Sequence, residues 1–171
     1  QPEGIAESAD SDTLRWMQCM ADQLDAAVCG SVAVEDDGRY YNRFYFVKPG
    51  GEVVAYDKKH LFTYGGEHLR FTAGKRQCRV AWRGLTYNLC VCYDLRFPVW
   101  SRNDAAHPYD VQLYVASWPD VRRAAWDALL RARAIENQCY VAAVNRVGSD
   151  PACRYNGGTC LLDAYGRPVA Q

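Results

Sequence analysis

Residues 89–98 read Leu-Cys-Val-Cys-Tyr-Asp-Leu-Arg-Phe-Pro and place a thiol where an apolar run meets a turn. The first three residues of this stretch are apolar and typical of a buried strand, so Cys92 falls where the strand ends and the chain turns. Asp94 can accept backbone N–H bonds in that turn, and Pro98 stops any regular element beyond it. Strand ends carry chemistry in many proteins, because the sheet beneath holds them rigid. Free cysteine is also among the most buried residue types, so Cys92 could equally be a small core residue.

The composition is that of a globular protein. The chain has 171 residues, 49% of them hydrophobic and 23% charged, which is enough for one substantial core. We therefore predict a single domain over residues 1–171. Twenty basic and twenty acidic residues are scattered along the chain and give a net charge of zero, which argues against a nucleic-acid partner. The apolar runs are too short to span a membrane and residues 1–10 are too polar for a signal peptide, so we expect no membrane partner and a cytoplasmic location.

Cysteine and histidine spacing bears on disulfides and metals. The chain has eight cysteines, several of them inside apolar runs, and they do not follow the spacing of a disulfide framework. We predict that they are reduced. Zinc sites typically combine Cys-x-x-Cys or closely spaced histidine pairs, and His60, His68 and His107 do not have that spacing, so we predict no metal.

The periodicity of apolar residues predicts the secondary structure. Ser11 or Asp12 can cap a helix whose apolar stripe runs to about residue 28, and a second helix is predicted at residues 121–137. Residues 63–75 and 148–158 are predicted to be loops. The predicted strands are residues 29–34, 40–47, 52–56, 78–82, 85–92, 109–117, 139–144 and 159–162. Hairpins interleaved with two helices indicate an α/β or α+β fold with helices covering sheet faces.

Two predicted strands end at residues that could belong to a reactive site. One ends at Cys92 and another at Ser117, and we expect these ends to meet over one pocket. A thiol that performs acyl transfer needs an oxyanion stabiliser and an acid or base, and Lys58 and Glu67 supply a cation and a carboxylate in polar segments before Cys92. An ordinary surface lysine and an ordinary loop glutamate, with no catalytic role, would give the same sequence pattern. A pairing of Cys92 with His60 or His68 is a weaker option, because neither histidine has a motif around it.

Five segments, taken together and in this order, closely resemble the carbon–nitrogen hydrolase (nitrilase) superfamily. Within it, the sequence is most similar to the omega-amidases that act on 2-oxoglutaramate and related dicarboxylic monoamides. The resemblance covers nearly the whole chain. The segments are Tyr-Asp-Lys-Lys-His-Leu-Phe at 56–62, Gly-Glu-His at 66–68, Cys-Tyr-Asp-Leu-Arg-Phe-Pro-Val-Trp-Ser-Arg-Asn at 92–103, Tyr-Val-Ala-Ser-Trp-Pro at 114–119, and Arg-Ala-Arg-Ala-Ile-Glu-Asn-Gln at 131–138.

The resemblance implies the role of each catalytic residue. Cys92 would be the nucleophile, Lys58 the catalytic lysine, and Glu67 a second carboxylate that helps to position the site. The backbone N–H of Tyr93 would join Lys58 in the oxyanion hole. The reaction would proceed through a cysteine thioester, with loss of ammonia and then hydrolysis.

The resemblance also implies the substrate pocket and the fold. Ser117 and Trp118 would line the pocket for a small amide. The family fold is a four-layer α-β-β-α sandwich. Its members usually form homodimers, and the resemblance implies no metal or organic cofactor.

One departure from the family pattern concerns the general base. The family places a glutamate at the end of an apolar strand well before the first helix, and this chain begins at Gln1-Pro2-Glu3 without such a strand. Glu3 fits better as an ordinary loop residue. We therefore expect the chain to be the middle of a longer protein, incomplete at both ends. The alternatives are a nitrilase, an N-acyltransferase using the same Cys-Lys-Glu site, or a non-catalytic fragment that lacks the base.

Overall fold

The computed structural model describes residues 2–171, which divide into two units between Cys78 and Arg79. Each unit contains one main β-sheet and one α-helix. This content confirms the predicted combination of helices and sheets in an α/β or α+β fold. A single domain over residues 1–171 stays a prediction.

The first helix, α1 (Asp12–Leu24), begins as the sequence predicts. The hydroxyl of Ser11 caps it by accepting a hydrogen bond from the backbone N–H of Leu14 at 3.1 Å. The helix ends at Leu24 rather than near residue 28, because Asp25 takes a left-handed conformation with φ of 45°. Val28 continues the apolar stripe in sequence, but it begins a strand.

The sheet of the first unit has the order β1-β2-β3-β4. A short β1 pairs parallel with β2, and the other pairs are antiparallel. One face packs against α1, where Met17 and Ala21 meet Val34, Tyr45 and Val47. The strands are β1 (Glu7–Ser8), β2 (Val28–Asp36), β3 (Arg39–Val47) and β4 (Val53–Asp57).

The second unit is built on a six-stranded sheet with the order β12-β11-β8-β7-β6-β5. The central strands β6, β7 and β8 run parallel, and the outer pairs are antiparallel. The strands of this sheet are β5 (Arg79–Trp82), β6 (Leu85–Val91), β7 (Val111–Ala116), β8 (Tyr140–Asn145), β11 (Cys160–Leu162) and β12 (Pro168–Ala170).

The second helix, α2 (Arg123–Asn137), follows a 3₁₀ turn at Asp120–Arg122 and covers one face of this sheet. Trp126, Leu130 and Ala134 of the helix are buried there. They pack with side chains from the central strands, including Cys90, Tyr114, Val141 and Ala143. The helix predicted at residues 121–137 is therefore confirmed apart from its first turn.

Residues 148–158 are not the plain loop that we expected. They contribute to a two-stranded hairpin of β9 (Val147–Ser149) and β10 (Arg154–Asn156). The carboxylate of Asp150 organises its turn by accepting hydrogen bonds from the backbone N–H groups of Ala152 and Cys153. The prediction was wrong because both strands are short and mostly exposed, so they carry no apolar alternation.

All eight cysteines have free thiols. Within residues 2–171, no group of three or more histidine, cysteine, aspartate or glutamate side chains is arranged to hold a metal ion. The helices of the described residues are not long and apolar enough to cross a membrane.

Candidate active site

Cys92 occupies a strained position directly after β6. Cys92 is the first residue of a 3₁₀ turn, Cys92–Arg96. Its φ of 46° lies in the left-handed region that residues other than glycine rarely adopt. The carboxylate of Asp94, which is fully buried, accepts a hydrogen bond from the backbone N–H of Val91 at 3.0 Å. This bond closes the turn around Cys92 and confirms the capping role that the sequence predicts for Asp94.

A buried arginine of α2 supports the same turn. Arg133 donates from Nη2 to the backbone oxygen of Leu95 at 2.6 Å and from Nη1 to Glu136 at 2.9 Å, while only 3% of the residue is exposed. A buried cation is costly unless its donors are used. Two of the three guanidinium nitrogens of Arg133 donate, one of them to the turn that begins at Cys92, and Nε has no hydrogen-bond partner within residues 2–171. Our sequence reasoning gave Arg133 no role. The signal was present, because this arginine falls on the apolar stripe of the predicted helix.

Two neighbouring cysteines differ in their surroundings. Cys90 lies inside β6, is fully buried, and burial raises the pKa of its thiol well above its usual range. Cys92 lies at the exit of the strand and is half-buried. The predicted register, with Cys90 within the strand and Cys92 at its end, is confirmed.

The ends of the parallel strands lie side by side, as predicted. Val91 of β6 is opposite Val115 of β7, and Ala116 of β7 is opposite Asn145 of β8. The two residues after β7 that were predicted to line the pocket therefore lie at the same edge of the sheet as Cys92. Ser117 is exposed, and Trp118 is 3% exposed.

Asn145 fixes the backbone of Trp118. Its Oδ1 accepts from the Trp118 N–H at 2.7 Å, and its Nδ2 donates to the Trp118 carbonyl at 3.0 Å and to the Gly157 carbonyl at 2.6 Å. The Trp118 indole N–H donates to the carbonyl of Arg122 at 2.8 Å. Sequence reasoning missed Asn145, because an asparagine that ends a strand usually marks an ordinary turn.

Aromatic contacts complete the surroundings of the turn. The guanidinium of Arg96, which is exposed, lies 5.0 Å from the centre of the Trp118 ring. The ring of Tyr93 packs edge-on against Phe97 at 5.2 Å. The turn therefore has an aromatic side as well as a polar one.

The first unit contains the predicted lysine and glutamate as an ion pair. Lys58 Nζ lies 2.7 Å from Glu67 Oε2, with 4% of the lysine side chain and 13% of the glutamate side chain exposed. Lys59 is half-buried, and its backbone N–H donates to the hydroxyl of Tyr56. Adjacent residues of an extended segment point to opposite sides, which accounts for the difference in burial between the two lysines.

Further hydrogen bonds hold this pair in place. Glu67 Oε2 also accepts from the backbone N–H of Phe62 at 2.6 Å, and Glu67 Oε1 accepts from Asn42 Nδ2 at 3.1 Å. The backbone of Lys58 is fixed on both sides, since its N–H donates to the Asn42 carbonyl and its carbonyl accepts from the N–H of Gly74, both at 2.9 Å. Only glycine fits at position 74, because a Cβ there would lie 1.9 Å from the carbonyl oxygen of Asp57.

The loop around Glu67 is more ordered than we predicted. Within residues 63–75 it forms two short 3₁₀ turns, Thr63–Gly65 and Glu67–Leu69. Glu3 lies exposed in another such turn, Pro2–Gly4, where its charge helps to raise the pKa of Tyr40 after the larger effects of burial and Glu35. This position agrees with the expectation that Glu3 is an ordinary loop residue.

The predicted site residues thus form two groups. Lys58 and Glu67 make an ion pair in the first unit. Cys92, Tyr93, Ser117 and Trp118 lie at the carboxyl edge of the parallel strands in the second unit. Their joint action stays a prediction.

Residues 2–171 match the carbon-nitrogen hydrolase family. The chain belongs to the carbon-nitrogen hydrolase family. The match includes both groups of candidate residues, and it confirms the family predicted from the motifs.

Two curated relatives of this carbon-nitrogen hydrolase are named for amide hydrolysis. The chain is 50% identical over 163 residues to omega-amidase YafV of Escherichia coli strain K12, covering 95% of this chain and 63% of the relative. It is 39% identical over 172 residues to 2-oxoglutaramate amidase of Bacillus subtilis strain 168, covering 98% of this chain and 66% of the relative. The chain therefore spans slightly less than two thirds of the length of these relatives.

Solved structures confirm the fold of this carbon-nitrogen hydrolase. The chain superposes with a TM-score of 0.94 on XC1258 from Xanthomonas campestris, a CN-hydrolase superfamily protein whose active site carries an arsenic adduct. That protein is 45% identical, and the alignment covers 99% of this chain and 68% of the other. The fold also matches Nit3 of Saccharomyces cerevisiae, with a TM-score of 0.87 at 20% identity.

Proposed function

We propose that the protein containing this chain is an amidase of the omega-amidase type, which converts small dicarboxylic monoamides such as 2-oxoglutaramate to the acid and ammonia. The observation that carries the proposal is the 50% identity to an omega-amidase over 95% of the chain. The strained and half-buried position of Cys92 supports it, because a nucleophile held at a strand end is pre-organised for attack.

Each predicted residue has one role in this proposal. The thiolate of Cys92 attacks the amide carbonyl carbon and forms a tetrahedral intermediate. Lys58 and the backbone N–H of Tyr93 stabilise its oxyanion. As the C–N bond breaks, the nitrogen takes up the proton that the Cys92 thiol gave up, so that ammonia leaves and a thioester remains. Water attacks the thioester carbonyl, the C–S bond breaks, one proton of the water restores the Cys92 thiol, and the acid leaves.

Glu67 orients Lys58 in this scheme. The ion pair at 2.7 Å and the low exposure of both side chains support that role. Ser117 and Trp118 contact the substrate, and the hydrogen bonds between Asn145 and Trp118 support a rigid pocket wall. We assign the general-base glutamate of the family to none of residues 2–171.

The same resemblance extends the proposal to assembly and location. We infer that the protein is a homodimer in the cytoplasm and needs no metal or organic cofactor. Sedimentation of the purified protein at several concentrations measures its mass, and a monomer at all of them would contradict the dimer. Cell fractionation tests the cytoplasmic location. Turnover that is unchanged after dialysis against a chelator is expected if the protein needs no metal, and a loss of turnover would contradict this.

Substrate comparison tests the proposed reaction. The protein at its full natural length is supplied with 2-oxoglutaramate, with simple aliphatic amides and with nitriles, and ammonia release is followed. We expect the highest kcat/KM for the monoamide, with acid and ammonia formed in equal amounts. A higher kcat/KM for aliphatic amides or nitriles would overturn the substrate assignment. Transfer of the acyl group to an added amine in preference to water would indicate an acyltransferase.

A further inference from the structure

Asn42, in the interior of β3, contacts both members of the Lys58–Glu67 pair. Its carbonyl accepts from the backbone N–H of Lys58 at 2.9 Å. Its side-chain Nδ2 donates to Glu67 Oε1 at 3.1 Å. One residue therefore holds the backbone of the lysine and the carboxylate of the glutamate.

The strand makes Asn42 a rigid donor. Asn42 is opposite Ala33 of β2, and its neighbour Arg43 is opposite Asp57 of β4. The bond from Lys58 to the Asn42 carbonyl continues this ladder one residue beyond the end of β4. A side chain with only two rotatable bonds on such a backbone has little freedom, so the position of its amide is set by the sheet.

An asparagine at this place also runs against strand preference. The residues around it, Tyr40, Tyr41, Phe44, Tyr45 and Phe46, are aromatic and typical of strands, whereas asparagine is depleted in them. A local departure of this kind is expected where a residue serves a site. The hydrogen bond from Asn42 to Glu67 is a function that would account for the asparagine in this strand.

The donors on Glu67 divide between its two oxygens. Oε2 accepts from Lys58 Nζ and from the N–H of Phe62, and Oε1 accepts from Asn42 Nδ2. With donors on both oxygens, the plane of the carboxylate is fixed. Without the donor on Oε1 the carboxylate can turn about its last side-chain bond, and the lysine ammonium that it binds can follow.

We propose that Asn42 is a positioning residue that fixes Glu67 and, through it, the Lys58 ammonium. The inference rests on the proposed function, because it gives the pair a role in amide hydrolysis. It predicts that Asn42 affects the chemical step more than substrate binding.

The test uses the full-length natural protein with two substitutions. Asn42→Ala removes the donor, and Asn42→Asp keeps the shape but places a carboxylate against Glu67 Oε1. We expect kcat to fall about tenfold to a hundredfold in both, the usual effect of losing a hydrogen bond to a charged group, with little change in KM. If Asn42→Ala fails to fold, the kcat of Asn42→Asp still tests the inference.

A double substitution separates positioning from general destabilisation. If Asn42 acts through Glu67, adding Asn42→Ala to Glu67→Ala should change kcat less than about twofold, because the partner is already absent. Asp36→Asn is the matched control. It breaks the ion pair of Asp36 with Arg43 in the same sheet, 2.9 Å long, and should lower Tm while leaving kcat unchanged.

The outcomes distinguish the inference from the proposed function. If Lys58→Ala is inactive while both Asn42 variants keep the wild-type kcat, the inference is wrong and the proposed function stands. A full additive loss of kcat in the double variant would also overturn it. If Lys58→Ala is fully active, the pair has no catalytic role, so the inference and the roles given to Lys58 and Glu67 are wrong while the amidase assignment stands. If the wild-type protein releases no ammonia from 2-oxoglutaramate or the other amides, the proposed function is wrong.

Discussion

The Asp94 carboxylate and the backbone N–H of Val91 are joined by a hydrogen bond of 3.0 Å that encloses Cys92. Asp94 is fully buried, so this bond is shielded from water and is strengthened by its charge. A left-handed conformation at a residue other than glycine costs about 1–3 kcal/mol. The bond therefore offsets part of the strain that places the thiol at the strand end.

Asp94→Ala should loosen the nucleophile turn. The Val91 N–H would lose its partner in a buried environment, and such a loss typically costs about 1–3 kcal/mol of unfolding free energy. Asp94→Asn keeps an oxygen acceptor of the same shape and should cost less. Urea denaturation of the two variants measures the difference, and equal stability of Asp94→Ala and the wild type would contradict the role of the bond.

Cys92 should react with an alkylating agent long before Cys90. Cys90 is fully buried with a raised thiol pKa, whereas Cys92 is half-buried at the strand exit. Mass mapping after brief treatment with iodoacetamide measures both in one sample. Cys19, an exposed thiol on α1, provides an internal standard for an ordinary surface cysteine. Labelling of Cys90 ahead of Cys92 would refute the assignment of the nucleophile.

The sequence predicts elements well where apolar periodicity is strong. The stripe of α2 is an example, because burial of one helix face dictates the pattern. The second halves of β3 and β6 are buried at every residue, and their continuous apolar and aromatic runs predict them instead. The sequence does not predict the end of an element where backbone conformation, not apolar periodicity, sets that end. The end of α1 is set by the left-handed Asp25, and the apolar Val28 beyond it imitates one more turn of the helix.

Candidate residues were visible in the sequence only where a motif surrounds them. Cys92, Lys58 and Glu67 stand in such motifs. Asn42 and Asn145 do not, and their roles depend on contacts across 25 and 27 residues of sequence. Spacing cannot reveal such contacts, because strand register decides which polar side chain meets which partner.

Glu7 should make stability depend on pH. Its pKa is lowered, chiefly because its carboxylate accepts hydrogen bonds from the hydroxyl and then the backbone N–H of Thr13 at the start of α1. A lowered folded-state pKa stabilises the fold above the unfolded pKa, and this contribution disappears as pH falls through the folded value. Glu7→Gln should therefore lower Tm at pH 7, and the difference from wild type should shrink in acid. Thr13→Val, which removes only the hydroxyl donor, should give a smaller effect of the same sign. A Tm difference that is constant with pH would exclude this origin.

Lys58 rather than Lys59 should be essential for turnover. The Lys58 side chain is 4% exposed and paired with Glu67, whereas Lys59 is half-buried. Losing one group that stabilises an oxyanion typically costs about a hundredfold to a thousandfold in kcat. We expect that loss in Lys58→Ala and near wild-type turnover in Lys59→Ala, measured as ammonia release by the full-length protein. Lys59→Ala is the matched control because it removes the same charge one residue away. Since adjacent residues of an extended segment point to opposite sides, an inactive Lys59→Ala beside an active Lys58→Ala would reverse the assignment of the catalytic lysine.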